Sequence, residues 1–179
     1  QTLKNRMKYS AQEDFDQLRD QLGHRPTATE YYQQGYDLLK MRKQHTSWFA
    51  LVAKNLSEEQ NVKNVQRIIS EYHDFLMQSV EITSMTKCFK PILLEAFLEL
   101  NGFENPPTTQ QLALRSWQVL NRYPELFISE LPDKQQSLLA DSKAWHTYWL
   151  GNPIKAFTNT IKTHTKQWFS VVDGIFMAN

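Results

Sequence analysis

The chain has 179 residues, 41% of them apolar and 22% charged, and a formal net charge of +1. This composition is that of an ordinary soluble globular protein, long enough to bury one or two cores. No apolar run approaches the roughly 20 residues that span a bilayer, and no secretory signal segment opens the chain. These features exclude a membrane protein, and the near-neutral charge excludes a strong overall field that attracts nucleic acid.

Cysteine content and the first residue limit the setting of the chain. The single cysteine, Cys88, excludes an internal disulfide and a cysteine-based zinc cluster. We therefore expect a reducing, cytoplasmic environment. The chain begins with Gln1 rather than Met, so we interpret it as a piece of a longer polypeptide.

Helix-start signals divide the N-terminal half. Capping boxes are present at Ser10–Glu13, Thr27–Glu30 and Ser57–Gln60, where a hydroxyl and a later carboxylate or amide satisfy free amide protons. An apolar stripe with a period near 3.6 predicts one continuous helix between the second and third boxes. The stripe consists of Met41, His45, Trp48, Phe49, Val52 and Leu56.

The third box opens the longest predicted helix. Its apolar residues alternate at steps of three and four, which predicts a buried seam rather than a coiled coil, because two heptads are too few. They are Val62, Val65, Ile69, Tyr72 and Leu76. Residues 80–87 are small, polar and rich in β-formers, so we place a domain boundary there, with a helical subdomain over 1–83 and a second subdomain over 84–179.

The second subdomain begins with a helix that has Pro91 in its first turn and Gly102 after its end. Another capping box, Thr108–Gln111, starts the next helix. Pro124 and Pro132 then break the chain, which predicts an insertion of one or two short helices at about 121–152. Asn152-Pro153 predicts a further helix start, and residues 158–165 either extend that helix or lead as a strand into the next element.

The chain closes with its clearest β signal. Two runs rich in β-branched and aromatic residues flank Asp173-Gly174, the pair that best tolerates the positive φ angles of a two-residue hairpin turn. Helices followed by one hairpin are the order of a winged helix. The predicted fold is therefore mainly α, with a helical subdomain and a winged-helix-like subdomain that ends in one β-hairpin.

Charge distribution suggests where a ligand binds. The chain has no acidic residue between Asp37 and Glu58, and none between Asp141 and Asp173. The second window leads into the hairpin and favours phosphate contact. The candidate DNA-binding residues are Lys155, Asn159, Lys162, His164 and Lys166. The lysines would contact phosphates and Asn159 would reach a base edge.

The sequence does not point to catalysis. It contains no phosphate-binding loop, no dinucleotide fingerprint and no His-Glu-x-x-His motif, and its five histidines are scattered. We therefore expect no catalytic residues, no metal and no cofactor. Cys88 is interpreted as a buried structural thiol, and Glu95 and Glu99 as a solvated helix surface.

Several segments together resemble the region that follows the motor in bacterial DEAD/DEAH-box superfamily-2 helicases, of the kind linked to restriction and phage defence. In the N-terminal half they are Leu22-Gly23-His24-Arg25-Pro26-Thr27, Tyr31, Gly35-Tyr36 and Ser47-Trp48-Phe49. In the C-terminal half they are 89–98, 152–157 and the Trp168-Phe169 hairpin. The chain departs from the pattern at His24 and at Cys88-Phe89.

The resemblance implies a non-catalytic accessory region of a larger ATP-dependent DNA helicase or translocase, whose motor lies elsewhere in the same polypeptide. The expected partners are DNA and that motor domain. The alternative is a docking module for the motor or for a nuclease subunit, without DNA binding of its own. It predicts an exposed apolar patch that includes Trp145, Trp149 or Trp168. A free-standing enzyme would instead need a pocket that collects His, Asp and Glu.

Overall fold

The computed structural model describes residues 10–56, 62–81, 87–158 and 167–179. It is mainly helical and ends in a two-stranded antiparallel hairpin, which confirms the predicted fold class. The chain divides into two compact units, Gln1–Thr83 and Ser84–Asn179, called here the N-terminal and C-terminal units.

Short helices build the described part of the N-terminal unit. They are α1 (Ala11–Leu22), α2 (Ala28–Gln33), α3 (Leu38–His45), α4 (Trp48–Lys54), α5 (Val62–Glu71) and a π-helix, π1 (Phe75–Glu81). The predicted capping boxes begin α1 and α2, and Gly23 ends α1 in the left-handed region. The third predicted box, Ser57–Gln60, lies outside the described residues.

Apolar and aromatic side chains from these helices form one core. Its fully buried members include Phe15, Leu18, Tyr31, Met41 and Leu51. The ring of Trp48 lies 5.7 Å from Phe15 and 5.4 Å from Tyr31. Burying one such side chain away from water stabilises the fold by about 1.5–3 kcal/mol, and this burial is the main stabilising contribution.

The predicted continuous helix between residues 41 and 56 is wrong, because the chain breaks it into α3 and α4. Thr46 has a φ of 70°, and Ser47 caps α4 by accepting a hydrogen bond from the Ala50 amide. The Glu81 carboxylate of π1 also binds this end of α4, where it accepts the amide protons of Trp48 at 2.5 Å and Phe49 at 3.4 Å.

The predicted seam over residues 62–76 is confirmed only in part. Ile69 is buried, and Val65 and Leu76 pack against the same core. Tyr72, however, is exposed, and it lies between the end of α5 at Glu71 and the start of π1 at Phe75.

The described part of the C-terminal unit begins with two helices that pack on each other, α6 (Phe89–Glu99) and α7 (Thr109–Leu120). Three short helices follow, one more than predicted: α8 (Pro124–Glu130), α9 (Asp133–Gln136) and α10 (Lys143–Trp149). A π-helical segment, π2 (Leu150–Ile154), and the short helix α11 (Lys155–Thr158) continue α10 without a break. The hairpin is formed by β1 (Phe169–Val172) and β2 (Ile175–Ala178).

The hairpin has the predicted tight turn and a winged-helix-like arrangement. Asp173 and Gly174 have φ angles of 49° and 77°, as a two-residue turn of this type requires. β2 pairs with β1 on one side and, through an isolated bridge at Ile175, with Thr108 on the other. This bridge joins the hairpin to the N-terminal cap of α7, and the sheet itself has two strands.

Phe97 joins the hairpin to the helices of this unit. Its buried ring lies 5.5 Å from both Phe169 and Phe176, whose own rings stack at 5.0 Å. The two indoles of α10, Trp145 and Trp149, are fully buried against α7 and α6. The packing places the hairpin next to α7 and α11, where the candidate DNA-binding residues begin.

Candidate nucleic-acid interface

The structure describes one of the five predicted DNA-binding residues. Lys155 is the first residue of α11 and is exposed to solvent. Asn159, Lys162, His164 and Lys166 lie outside the described residues. The predicted grouping of all five therefore stays a prediction.

The helix that holds Lys155 differs from the predicted one. Asn152 does not cap a helix start, because the chain is already helical from Lys143. Its side-chain amide instead donates to the Tyr148 carbonyl at 2.8 Å. Pro153 cannot donate a backbone hydrogen bond, and the wider π2 turn accommodates its ring within the continuing helix.

Buried residues on either side of Lys155 fix its position. Pro153 and Ile154 are buried, and the ring of Phe157 lies 5.4 Å from that of Phe169 in β1. The Thr158 hydroxyl donates to the Ile154 carbonyl at 3.1 Å. Lys155 is therefore presented on a helical turn that is anchored to the hairpin.

The turn of the hairpin is bound to the rest of the unit. The Thr109 amide donates to the Gly174 carbonyl at 2.8 Å, and the Phe176 amide donates to the Pro107 carbonyl at 2.9 Å. The Thr109 hydroxyl lies 3.0 Å from His146 Nε2. Residues 169–178 include Asp173 but no Lys or Arg, so the hairpin itself provides no cation for a phosphate. In this part of the unit, a phosphate contact would therefore come from the segment before the hairpin.

The two arginines of the C-terminal unit, Arg115 and Arg122, are engaged with carboxylates. Arg122 forms a two-pronged pair with Glu99 and a second contact, 3.4 Å long, with Glu95. The Arg122 hydrogen bond lowers the pKa of the Glu99 carboxyl below its usual value. Arg115 lies 3.9 Å from the same carboxylate. Arg115 of α7 and Arg122, just beyond the end of α7, thus form an ion-pair network with Glu95 and Glu99 of α6, and the hydrogen bonds of Arg122 in it are exposed, in agreement with the solvated helix surface that we expected.

Lys90 is also held by its surroundings. Its Nζ lies 5.8 Å from the centroid of the Phe157 ring, and burial lowers its pKa. This geometry is that of a cation–π contact. Lys155 differs from Lys90 because its side chain is directed to solvent.

The described residues contain no group of side chains that would bind a metal ion. Within residues 10–56, 62–81, 87–158 and 167–179, no group of three or more His, Cys, Asp or Glu side chains could hold a metal ion. Burial raises the pKa of the half-buried Cys88 thiol, which makes it a poor nucleophile at neutral pH.

The docking alternative predicts an exposed apolar patch that includes one of three tryptophans. This prediction is wrong for two of them. Trp145 and Trp149 are fully buried and stack with ring centroids 4.9 Å apart. The Trp145 indole donates to the Ala113 carbonyl at 2.8 Å, which explains how its polar atom is accommodated in the core. Trp168 is half-buried. The hairpin instead exposes Val172, which keeps 50% of its surface accessible.

Comparisons with known proteins leave the resemblance to helicases as a prediction. No protein-family model, curated protein or solved structure matches the chain. In the described ranges, no helix is both long enough and apolar enough to cross a membrane.

Proposed function

We propose that the chain is a non-catalytic accessory region of a larger ATP-dependent DNA helicase or translocase and that its C-terminal unit contacts DNA. The motor domain would belong to the same polypeptide, and the parent enzyme would act in the cytoplasm in restriction or phage defence. The observation that carries the DNA proposal is the exposed Lys155, anchored next to the hairpin within a stretch that contains no acid from 142 to 172.

The proposed contact is electrostatic. Lys155, Lys162 and Lys166 would neutralise phosphates, with His164 as a further phosphate contact and Asn159 at a base edge. Each phosphate neutralised by a lysine adds about 0.9 to the slope of log affinity against log salt for duplex DNA. Because the anchored hairpin has no cation, it would support α11, the helix that holds Lys155, rather than contact phosphate itself.

Alanine substitutions of the lysines test the proposal. We expect that replacing Lys155, Lys162 and Lys166 together lowers the salt slope of DNA binding by about two to three. Lys155→Ala alone should lower it by about one, whereas Lys134→Ala should leave it unchanged. Lys134 is a suitable control because it is exposed in the same unit and follows Asp133. Unchanged affinity and slope in the triple variant would refute the proposed DNA contact.

A second candidate function is protein docking. The exposed Val172 on the hairpin favours it, because an accessible apolar side chain suits a protein interface. This function predicts that the chain binds the motor or a nuclease subunit and that Val172→Asp weakens this binding. It also predicts no salt-dependent binding of DNA.

A further inference from the structure

The N-terminal unit presents a second group of free cations, at the C-terminal ends of α3 and α4. We call it the Arg42 surface and define it by Arg42, Lys43 and Lys54. All three side chains are exposed, and none of them forms an ion pair with any residue that the structure describes. By contrast, the half-buried Arg19 and the exposed Arg67 pair with Asp16 and Glu71, at 3.0 Å and 2.7 Å.

Packing of α3 against α1 separates these cations from the acids of the unit. Lys40 Nζ lies 3.1 Å from the buried Asp14 carboxylate. One turn later, the Gln44 side chain accepts the Ala11 amide at 2.7 Å. Arg42, two residues from each of them, therefore lies on the side of α3 that faces away from α1, and the neighbouring Lys43 and Leu39 are also exposed.

Lys54 is the last residue of α4, which contacts α3. Burial, and secondarily the charge of Lys54, lowers the pKa of His45, the last residue of α3. The positive charge of the surface comes from its three named residues. The chain has no acid between Asp37 and Glu58 to neutralise it.

Helix dipoles alone do not explain this arrangement. A cation in the last turn of a helix gains about 0.3–1 kcal/mol from the dipole, which accounts for each cation separately. Neighbouring cations without acids between them repel one another, and a bound polyanion relieves this repulsion. We propose that the Arg42 surface binds the phosphate backbone of DNA, as a contact additional to that of Lys155. This inference rests on the proposed DNA-binding function of the chain.

The structure favours DNA over an anionic membrane as the polyanion. A helix that lies on a membrane inserts an apolar face opposite its basic face. In α3 the apolar residue that could insert into a membrane, Met41, is instead buried in the core of the unit. Leu39 is left as a single exposed apolar side chain within the basic face, which is too little to anchor the helix in lipid.

The test uses the complete 179-residue chain. Duplex DNA is titrated at several salt concentrations into the wild-type chain and into the triple variant Arg42→Gln, Lys43→Gln, Lys54→Gln. The matched control is Arg25→Gln, Lys63→Gln, Arg67→Gln, which removes the same charge from exposed positions of the same unit. We expect the first variant to lower affinity at least about tenfold at ~0.1 M salt and to lower the salt slope by about two to three. The control should lie within about threefold of the wild type, with an unchanged slope.

Each outcome bears on one of the two proposals. If the wild type binds DNA and Lys155→Ala weakens binding while the Arg42-surface variant equals its control, this inference is wrong and the proposed function stands. If the wild type does not bind DNA, both are wrong. Loss of binding to anionic vesicles with unchanged DNA binding would assign the surface to a membrane and overturn the inference. Should the triple variant melt earlier than the wild type, the single variants Arg42→Gln and Lys43→Gln replace it, each with an expected slope change of about one.

Discussion

Gly102 is a residue whose small size the fold requires. The turn after α6 closes with hydrogen bonds from the Gly102 amide to the Phe97 carbonyl and from the Asn101 amide to the Leu98 carbonyl, each 2.9 Å long. Asn101, not Gly102, adopts the left-handed φ of 53°. Gly102 is needed because a Cβ there would overlap the Phe97 ring, which is packed between other aromatic rings.

We therefore expect Gly102→Ala to lower the free energy of unfolding by about 1–3 kcal/mol, since the buried ring of Phe97 must shift. Urea unfolding measures the change. Gly151→Ala is the matched control, because a Cβ at Gly151 meets no atom within 4 Å. Alanine in that helical segment should be neutral or stabilise by about 0.5–1 kcal/mol. Equal effects of the two substitutions would contradict this account of the packing.

Capping carboxylates predict a loss of stability in acid. The Ser10 amide lowers the pKa of Glu13, and the Thr27 amide lowers that of Glu30, both from an ordinary 4.5. A carboxyl whose folded pKa is lowered stabilises the fold above its unfolded pKa, and this contribution is lost as pH falls through the folded pKa. We expect the urea midpoint to fall between about pH 6 and pH 3, and to fall less in the variant Glu13→Gln, Glu30→Gln. An equal fall in this variant would show that other groups cause the acid sensitivity.

At the scale of the elements, local sequence predicts where helices begin but not where tertiary contacts break them. The boxes at Ser10, Thr27 and Thr108 contain both partners of each cap, so sequence alone predicts them. The break at Thr46 is different, because the apolar stripe continues through it. The second cap of α4, Glu81, lies 33 residues after Trp48, and no local sequence pattern extends that far.

Pro153 illustrates the opposite error. A proline after an asparagine usually begins a helix, and this local rule predicts a start at Asn152. Here α10 is already held in place by the buried Trp145 and Trp149, so the chain continues as a helix and absorbs the proline in a π-helical turn. Tertiary burial outweighs the local preference.

The cap from Glu81 gives a prediction at this scale. We expect Glu81→Ala to lower the free energy of unfolding by about 0.5–2 kcal/mol, because it leaves the first amides of α4 with one partner fewer. Hydrogen exchange should accelerate at Trp48 and Phe49, because their amides donate hydrogen bonds to the Glu81 carboxylate. Glu71→Ala is the control, since among the described residues Glu71 pairs only with the exposed Arg67 of its own helix. Unchanged exchange at Trp48 would contradict the proposed role of Glu81.

At the scale of the whole molecule, charge along the sequence predicted part of the candidate site and packing determined the rest. The exposure of Lys155 agrees with its place in an acid-free stretch. The fixed turn of the hairpin could not be predicted, because Gly174 is held by Thr109, a residue 65 positions earlier in the chain. The Arg42 surface was visible only as a second acid-free window until packing separated Lys40, which pairs with Asp14, from Arg42 and Lys43.

Direct titration of the wild-type chain with DNA tests the central claim. Binding of labelled single- and double-stranded probes is followed by fluorescence anisotropy at about 50 mM and about 200 mM salt. The proposed function predicts binding at the lower salt concentration and an affinity that falls with a log–log slope of at least about two. Absence of binding to both probes at low salt, or an affinity equal at the two salt concentrations, would contradict it.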